Sequence, residues 1–312
     1  MIKAKRANFQ KHIEPLNMNG LHGRVLNLPA PKRKNKQILL VYGHHASIER
    51  MSGLAQELNR YGAISMPDLP GFGGMQSLYK LGEKPTIDAL ADYLAAYVKM
   101  RYKNRRFTAV GMSFGLVVIT RMLQRCPDIA KKVDDVVSLV GFVHHEDFKM
   151  KPSTKRLLSA SGQLLSFRVP AILSRYVLLN RPMIYLGYLL VGDRNVKMYD
   201  ASRAERLQRI AFEVDLWQAN DVRTYGFTGR QMLKANLCDY NGTLELPLTH
   251  VMVEDDRYFD NRIVSEHLSI IYKDVSIIKT SMKGHAPTVI SSTEQVSPLI
   301  PKQLRSLLKG TI

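Results

Sequence analysis

The chain has 312 residues, long for one compact core and ordinary for a catalytic domain that carries an insertion. Hydrophobic residues make up 45% and charged residues 23%, a globular balance that excludes a disordered or fibrous chain. The formal net charge of +18 attracts anions, but the basic residues are spread along the chain and no nucleic-acid motif accompanies them. No specific nucleic-acid partner is therefore expected. Cys126 and Cys238 form no CxxC pair, so two buried thiols in a reducing cytoplasm are expected rather than disulfides or a metal site. The basic start Met1-Ile2-Lys3-Ala4-Lys5-Arg6 leads into no apolar h-region, so a signal peptide is not indicated. The most lipid-like stretch, residues 164–191, is interrupted by Arg168, Arg175 and Arg181 and does not qualify as a membrane span.

In chain order, the first 36 residues alternate around Gly20 and Gly23 and suggest an antiparallel edge hairpin. Residues 37–42 read as a buried strand, 48–60 as a helix and 63–67 as a short strand ending at Asp68. Ile87, Leu90, Leu94 and Val98 share one face, which predicts a helix over 86–102. Residues 106–111 form a strand, followed by an apolar helix to about Arg125, and 135–143 a further strand. After Val143 the rhythm changes: residues 144–240 carry helix-like segments only. Strands return at 247–253 and 274–279, with helices at 261–272 and 293–309. Continuous apolar strands separated by helices predict an α/β fold with a mostly parallel sheet covered on both faces. The core is expected over 1–143 and 241–312, with a helical cap over 144–240.

The run Gly111-Met112-Ser113-Phe114-Gly115 is a GxSxG pentapeptide. Alone it is weak: about one chain in ten of this length contains one by chance. Here it follows a strand and opens a helix, the setting a nucleophile elbow requires. The serine of such an elbow sits in strained backbone, and glycines two positions either side avoid clashes.

With this elbow, Tyr42-Gly43-His44-His45, Asp68-Leu69-Pro70-Gly71-Phe72-Gly73, and the later acid and histidine segments, the sequence resembles the α/β-hydrolase family in its capped, esterase- and lipase-like branch. The resemblance implies an eight-stranded, mostly parallel sheet flanked by helices. It also implies acyl transfer to water through an acyl-enzyme on Ser113. Gly284-His285-Ala286-Pro287 occupies the place of the catalytic histidine, after the last strand. The acid follows the preceding strand, in Glu254-Asp255-Asp256-Arg257. The family pattern points to Asp256, although Val253 stands where glycine is usual. Asp255 is the alternative, with Asp260 behind it; Glu146 or Asp147, after the strand ending at Val143, is another. The two oxyanion donors would be the backbone N–H groups of His44 and Phe114. The side chains of His44, His45, His144 and His145 invite a metal reading, but no supporting ligand spacing accompanies them, so no metal is expected. No dinucleotide fingerprint or Walker loop is present, so no cofactor is implied.

The expected reaction is hydrolysis of hydrophobic short- to medium-chain carboxylic esters. Alternatives are a lactonase, for example on N-acyl homoserine lactones, or a lysophospholipid or monoacylglycerol lipase. A non-enzymatic alternative is a silent homologue that binds anionic membrane or nucleic acid. Serine at the elbow argues against chemistries that use a carboxylate nucleophile. The apolar residues of 169–191 either pack the cap on the core or line an acyl pocket. With their interleaved arginines they could also seat the cap on an anionic membrane.

Overall fold

The computed structural model describes residues 9–191, 202–240, 242–280 and 296–310. Strands β1 (Ile13–Met18) and β2 (Leu21–Leu28) form the edge hairpin. Asn19 and Gly20 join them with φ of 51° and 80°. Both values lie in the left-handed region that a two-residue hairpin turn needs, and Asn-Gly is the pair that reaches it at least cost.

The sheet continues with β3 (Gln37–Val41), β4 (Ala63–Pro67), β5 (Phe107–Met112), β6 (Val133–Leu139), β7 (Leu244–Val253) and β8 (Tyr272–Thr280). Its eight strands run in the order β1-β2-β4-β3-β5-β6-β7-β8. β2 pairs antiparallel with β4, and every pairing from β4 to β8 is parallel. The chain steps from β3 outward to β4, then returns past β3 to β5. The strand order therefore reverses at β3/β5, and an open α/β sheet binds ligands beyond the carboxyl ends at such a switch point.

Helices α1 (Ser52–Asn59), α2 (Ile87–Tyr102), α3 (Phe114–Arg125), α9 (Asn261–Ile271) and α10 (Lys302–Lys309) belong to the core. Between β6 and β7 lie α4 (Pro152–Leu165), α5 (Arg168–Val177), α6 (Arg181–Val191), α7 (Arg203–Ala219) and α8 (Val222–Met232). Ile184 of α6 packs with Ile210 and Val214 of α7 in a small second apolar cluster.

Several boundaries differ from the sequence pattern. β6 stops at Leu139, although the apolar run continues to Val143. Val140 has φ 47°, which ends the ladder, while Phe142 and Val143 stay fully buried outside it. The helix expected from residue 48 begins only at Ser52, after His45 at φ 56°. The closing helix starts after Pro301, because the residue before a proline is disfavoured in helical backbone. Cys126 and Cys238 are half-buried rather than buried. No helix among the described residues is long and apolar enough to cross a membrane.

Candidate active site

Ser113 follows β5 directly and caps the start of α3, with φ 49° and ψ −118°. A non-glycine residue there stores strain that its surroundings must hold. They hold it on both sides: Ser113 N–H donates to Leu139 O at 3.0 Å, and Leu116 N–H donates to Ser113 O at 3.0 Å. The flanking glycines are obligatory. A Cβ on Gly111 would fall 2.7 Å from Leu116 Cα, and one on Gly115 would fall 2.8 Å from Tyr42 O. The side chain of Ser113 is half-exposed at the amino terminus of α3, where first-turn N–H groups lack partners within the helix.

The turn after β3 lies against this serine. A Cβ on Gly43 would stand 3.1 Å from Ser113 Cβ and 3.7 Å from its Oγ. The backbone at Gly43-His44 thus approaches Ser113 as closely as glycine permits, where the second oxyanion donor is expected. Phe114 is fully buried, its ring edge-on to that of His44 at 5.9 Å.

The two histidines of this turn contact helices of the insertion between β6 and β7. His44 Nε2 lies 3.2 Å from Tyr225 O and 2.9 Å from Thr228 Oγ1 on α8. A carbonyl oxygen only accepts, so Nε2 carries the proton. Burial, reinforced by neighbouring His45, pushes the His44 imidazole down to about 3, so it is neutral. His45 stacks on Trp217 at 4.2 Å, and its Nδ1 lies 3.1 Å from Asn220 Nδ2. Fully buried Glu213 on α7 takes Arg50 at 3.3 Å and the Tyr188 hydroxyl at 3.0 Å.

Asp68 organises the neighbouring turn. Its carboxylate accepts from Tyr42 OH at 2.8 Å, from Ile48 N–H at 3.2 Å and from Arg24 at 2.9 Å. Burial raises its pKa to about 7 against the opposing pull of Arg24. Gly73 has φ 60° and leaves no room for a side chain beside that carboxylate.

The acidic candidates separate sharply by burial. Asp256 is 3% exposed, and its Oδ1 accepts from Tyr258 N–H at 2.7 Å and Phe259 N–H at 3.2 Å. Asp255 and Glu254 are exposed, with Glu254 paired to Lys279. Asp260 caps α9 through Arg262 N–H and Ile263 N–H. Glu146 is exposed, whereas Asp147 is fully buried and heavily engaged. Asp147 Oδ2 accepts from Val143 and His144 N–H, both at 2.9 Å, and its Oδ1 lies 2.6 Å from His267 Nδ1. His285 lies outside the described residues.

One group among the described residues has metal-ligating character. His144, Glu146 and His267 each place a ligand atom within 4.8 Å of the others. It differs from the four-histidine set suggested by the sequence, and His267 comes from α9, beyond any local spacing. Hydrogen bonds at the group account for its closeness: His267 bonds Asp147, the neighbour of Glu146, and Glu146 N–H donates to His144 Nδ1 at 3.2 Å. His144 is held below its ordinary value by burial and by the neighbouring histidines.

No protein-family model matches the chain, and no curated protein matches it in sequence. Solved structures do match. A bacterial membrane phospholipase A superposes with a TM-score of 0.70 at 13% identity, covering 99% of this chain and 91% of that one. MGS-M2, an α/β-hydrolase from a deep-sea metagenome library, gives 0.65 at 12%, covering 95% and 96%. A carboxylesterase from the thaumarchaeon Nitrososphaera gargenis gives 0.62 at 13%, covering 96% and 97%. Sheet order, elbow and neighbours agree: the chain has the α/β-hydrolase fold.

Proposed function

We propose that the chain hydrolyses carboxylic esters with hydrophobic short- to medium-chain acyl groups, with Ser113 as nucleophile, His285 as base and Asp256 as orienting acid. The observation that carries this reading is the strained Ser113 at the head of α3 with the Gly43-His44 turn packed against it. Ser113 Oγ attacks the ester carbonyl while His285 takes its proton. The N–H groups of His44 and Phe114 stabilise the oxyanion. Its collapse releases the alcohol, which leaves with the proton from His285. Water, deprotonated by the same histidine, then attacks the acyl-enzyme and releases the acid.

Strand geometry supports the assignment of the other two residues. The ends of β5 and β7 flank β6, two strand spacings or about 10 Å apart, a gap an imidazole can bridge. His285 follows the end of β8 at Thr280 by five residues, a tether of up to about 17 Å. Asp256 is the buried acid of its turn. The two half-buried thiols suit a reducing, cytoplasmic setting.

The same machinery opens lactones, so a p-nitrophenyl ester chain-length series run beside an N-acyl homoserine lactone series tests the reading. Preferential turnover of apolar acyl esters is expected. A flat, background-level response to both series would rule out this substrate class.

A further inference from the structure

Cap helices α4 to α6 turn apolar side chains outward. Among the described residues, fifteen of the twenty-two exposed large hydrophobic side chains fall between Leu157 and Leu190. On α5 they form a stripe at helical spacing: Val169, Ile172, Leu173, Tyr176 and Val177, with Tyr176 75% exposed. The opposite side of α5 is already used, with Ala171 buried and Arg175 donating to the carbonyls of Trp217 and Gln218 on α7. On α6, Met183, Leu186 and Leu190 are exposed, while Ile184 packs on α7. An apolar surface of this extent on a water-facing helix marks an interaction site.

Charge identifies the occupant. Residues 148–191 contain seven lysines and arginines and no aspartate or glutamate. Arg181 pairs with Asp215 of α7, and Arg175 is spent on carbonyls. On α4, which itself exposes Leu157, Leu158 and Leu164, Lys155 and Arg156 line an open groove with Ser159 and Gln163 and with Arg230 and Lys234 at the end of α8. Four cations around two neutral donors suit the phosphate of a lipid headgroup. A second copy of this chain would set two equally basic faces against each other, which opposes pairing.

We propose that the α4–α6 face docks on an anionic lipid bilayer. The apolar stripes enter the headgroup–acyl boundary and the cations meet lipid phosphates, as in interfacial amphipathic helices. Docking does not depend on the ester chemistry, and the two are measured separately.

The test is co-sedimentation of the full chain with vesicles of phosphatidylcholine alone or mixed with phosphatidylglycerol. The double variant Leu173→Asp/Tyr176→Asp runs in parallel. Partition into the anionic vesicles should exceed that into neutral ones by about tenfold or more, and should fall with added salt. The double variant should lose it while keeping its far-UV circular dichroism and its turnover of a water-soluble ester. Arg156→Ala/Arg230→Ala should weaken binding to anionic vesicles only. The proposal is overturned by no partition, by equal partition into both vesicle types, or by partition that the double variant retains. A concentration-dependent dimer that the double variant dissolves would likewise overturn it, assigning the face to a second copy.

Discussion

Helices α3 and α5, of 12 and 10 residues, differ in where their apolar side chains go. Along α3 the apolar side chains from Phe114 to Leu123 are all buried, and the helix begins on Ser113. Along α5 the apolar stripe faces water, and the buried side is a small residue and an arginine bonded to carbonyls. Rigid packing holds the groups around Ser113, as the proposed acyl transfer would demand. The helices between β6 and β7 meet the core through polar contacts such as His44 to Thr228, His45 to Asn220 and Arg50 to Glu213 and through the rings of Tyr225 and Trp217, and their outer apolar surface stays exposed. On the proposed readings, the first region carries the chemistry and the second the docking on lipid.

If the core alone fixes the chemistry, changes in its buried groups should cost far more than changes in exposed neighbours. Asp256→Asn should lower kcat by about 10⁴-fold, the loss seen when the orienting acid of such a triad is neutralised. Asp255→Asn and Glu146→Gln, at exposed positions, should change kcat less than about threefold, in line with ordinary surface substitutions. The reverse ranking, in steady-state kinetics on one ester, would move the acid assignment. Gly43→Val should crowd Ser113 and displace the oxyanion turn, with kcat down about a hundredfold, the scale of one lost donor. Full activity in that variant would break the link between the turn and the nucleophile.

A smaller effect sharpens the boundary between core and cap. His44 and buried His250 are pushed down to about 3 and about 4, mainly by burial. Between these values and the ordinary 6.5 the unfolded chain binds more protons. Each histidine therefore contributes stability that is complete above 6.5 and falls with pH by about 1.4 kcal/mol per unit. Asp68, raised to about 7, acts with the opposite sign across the same window, since its contribution is lost as pH rises. The readout is therefore the difference between variants. His44→Gln should flatten the acid-side fall in urea-derived stability relative to wild type, and an unchanged slope would contradict a buried, neutral His44.

The sequence carried the elbow in full, because apolar strand, GxSxG and helix are contiguous. The parallel sheet was equally legible from its continuous apolar runs. Asp256 and Asp255 are neighbours in one acidic turn, and only the packed structure separates them, by burying the first and exposing the second. Other features depend on distant partners. Nothing local announces that His267 bonds Asp147, 120 residues away, or that Glu213 and Asn220 receive the turn after β3. The apolar richness of residues 169–191 was visible, but composition reveals only that apolar side chains are present. Which way they point is set by packing elsewhere, and here Arg175 and Ala171 take the inner side of α5.

Fluorophosphonate labelling followed by intact mass and peptide mapping tests the proposed nucleophile Ser113 most directly. Wild type should gain one adduct, on the peptide carrying Ser113, and Ser113→Ala, folded by circular dichroism, should gain none. An unlabelled wild type, or equal labelling of the variant, would contradict it.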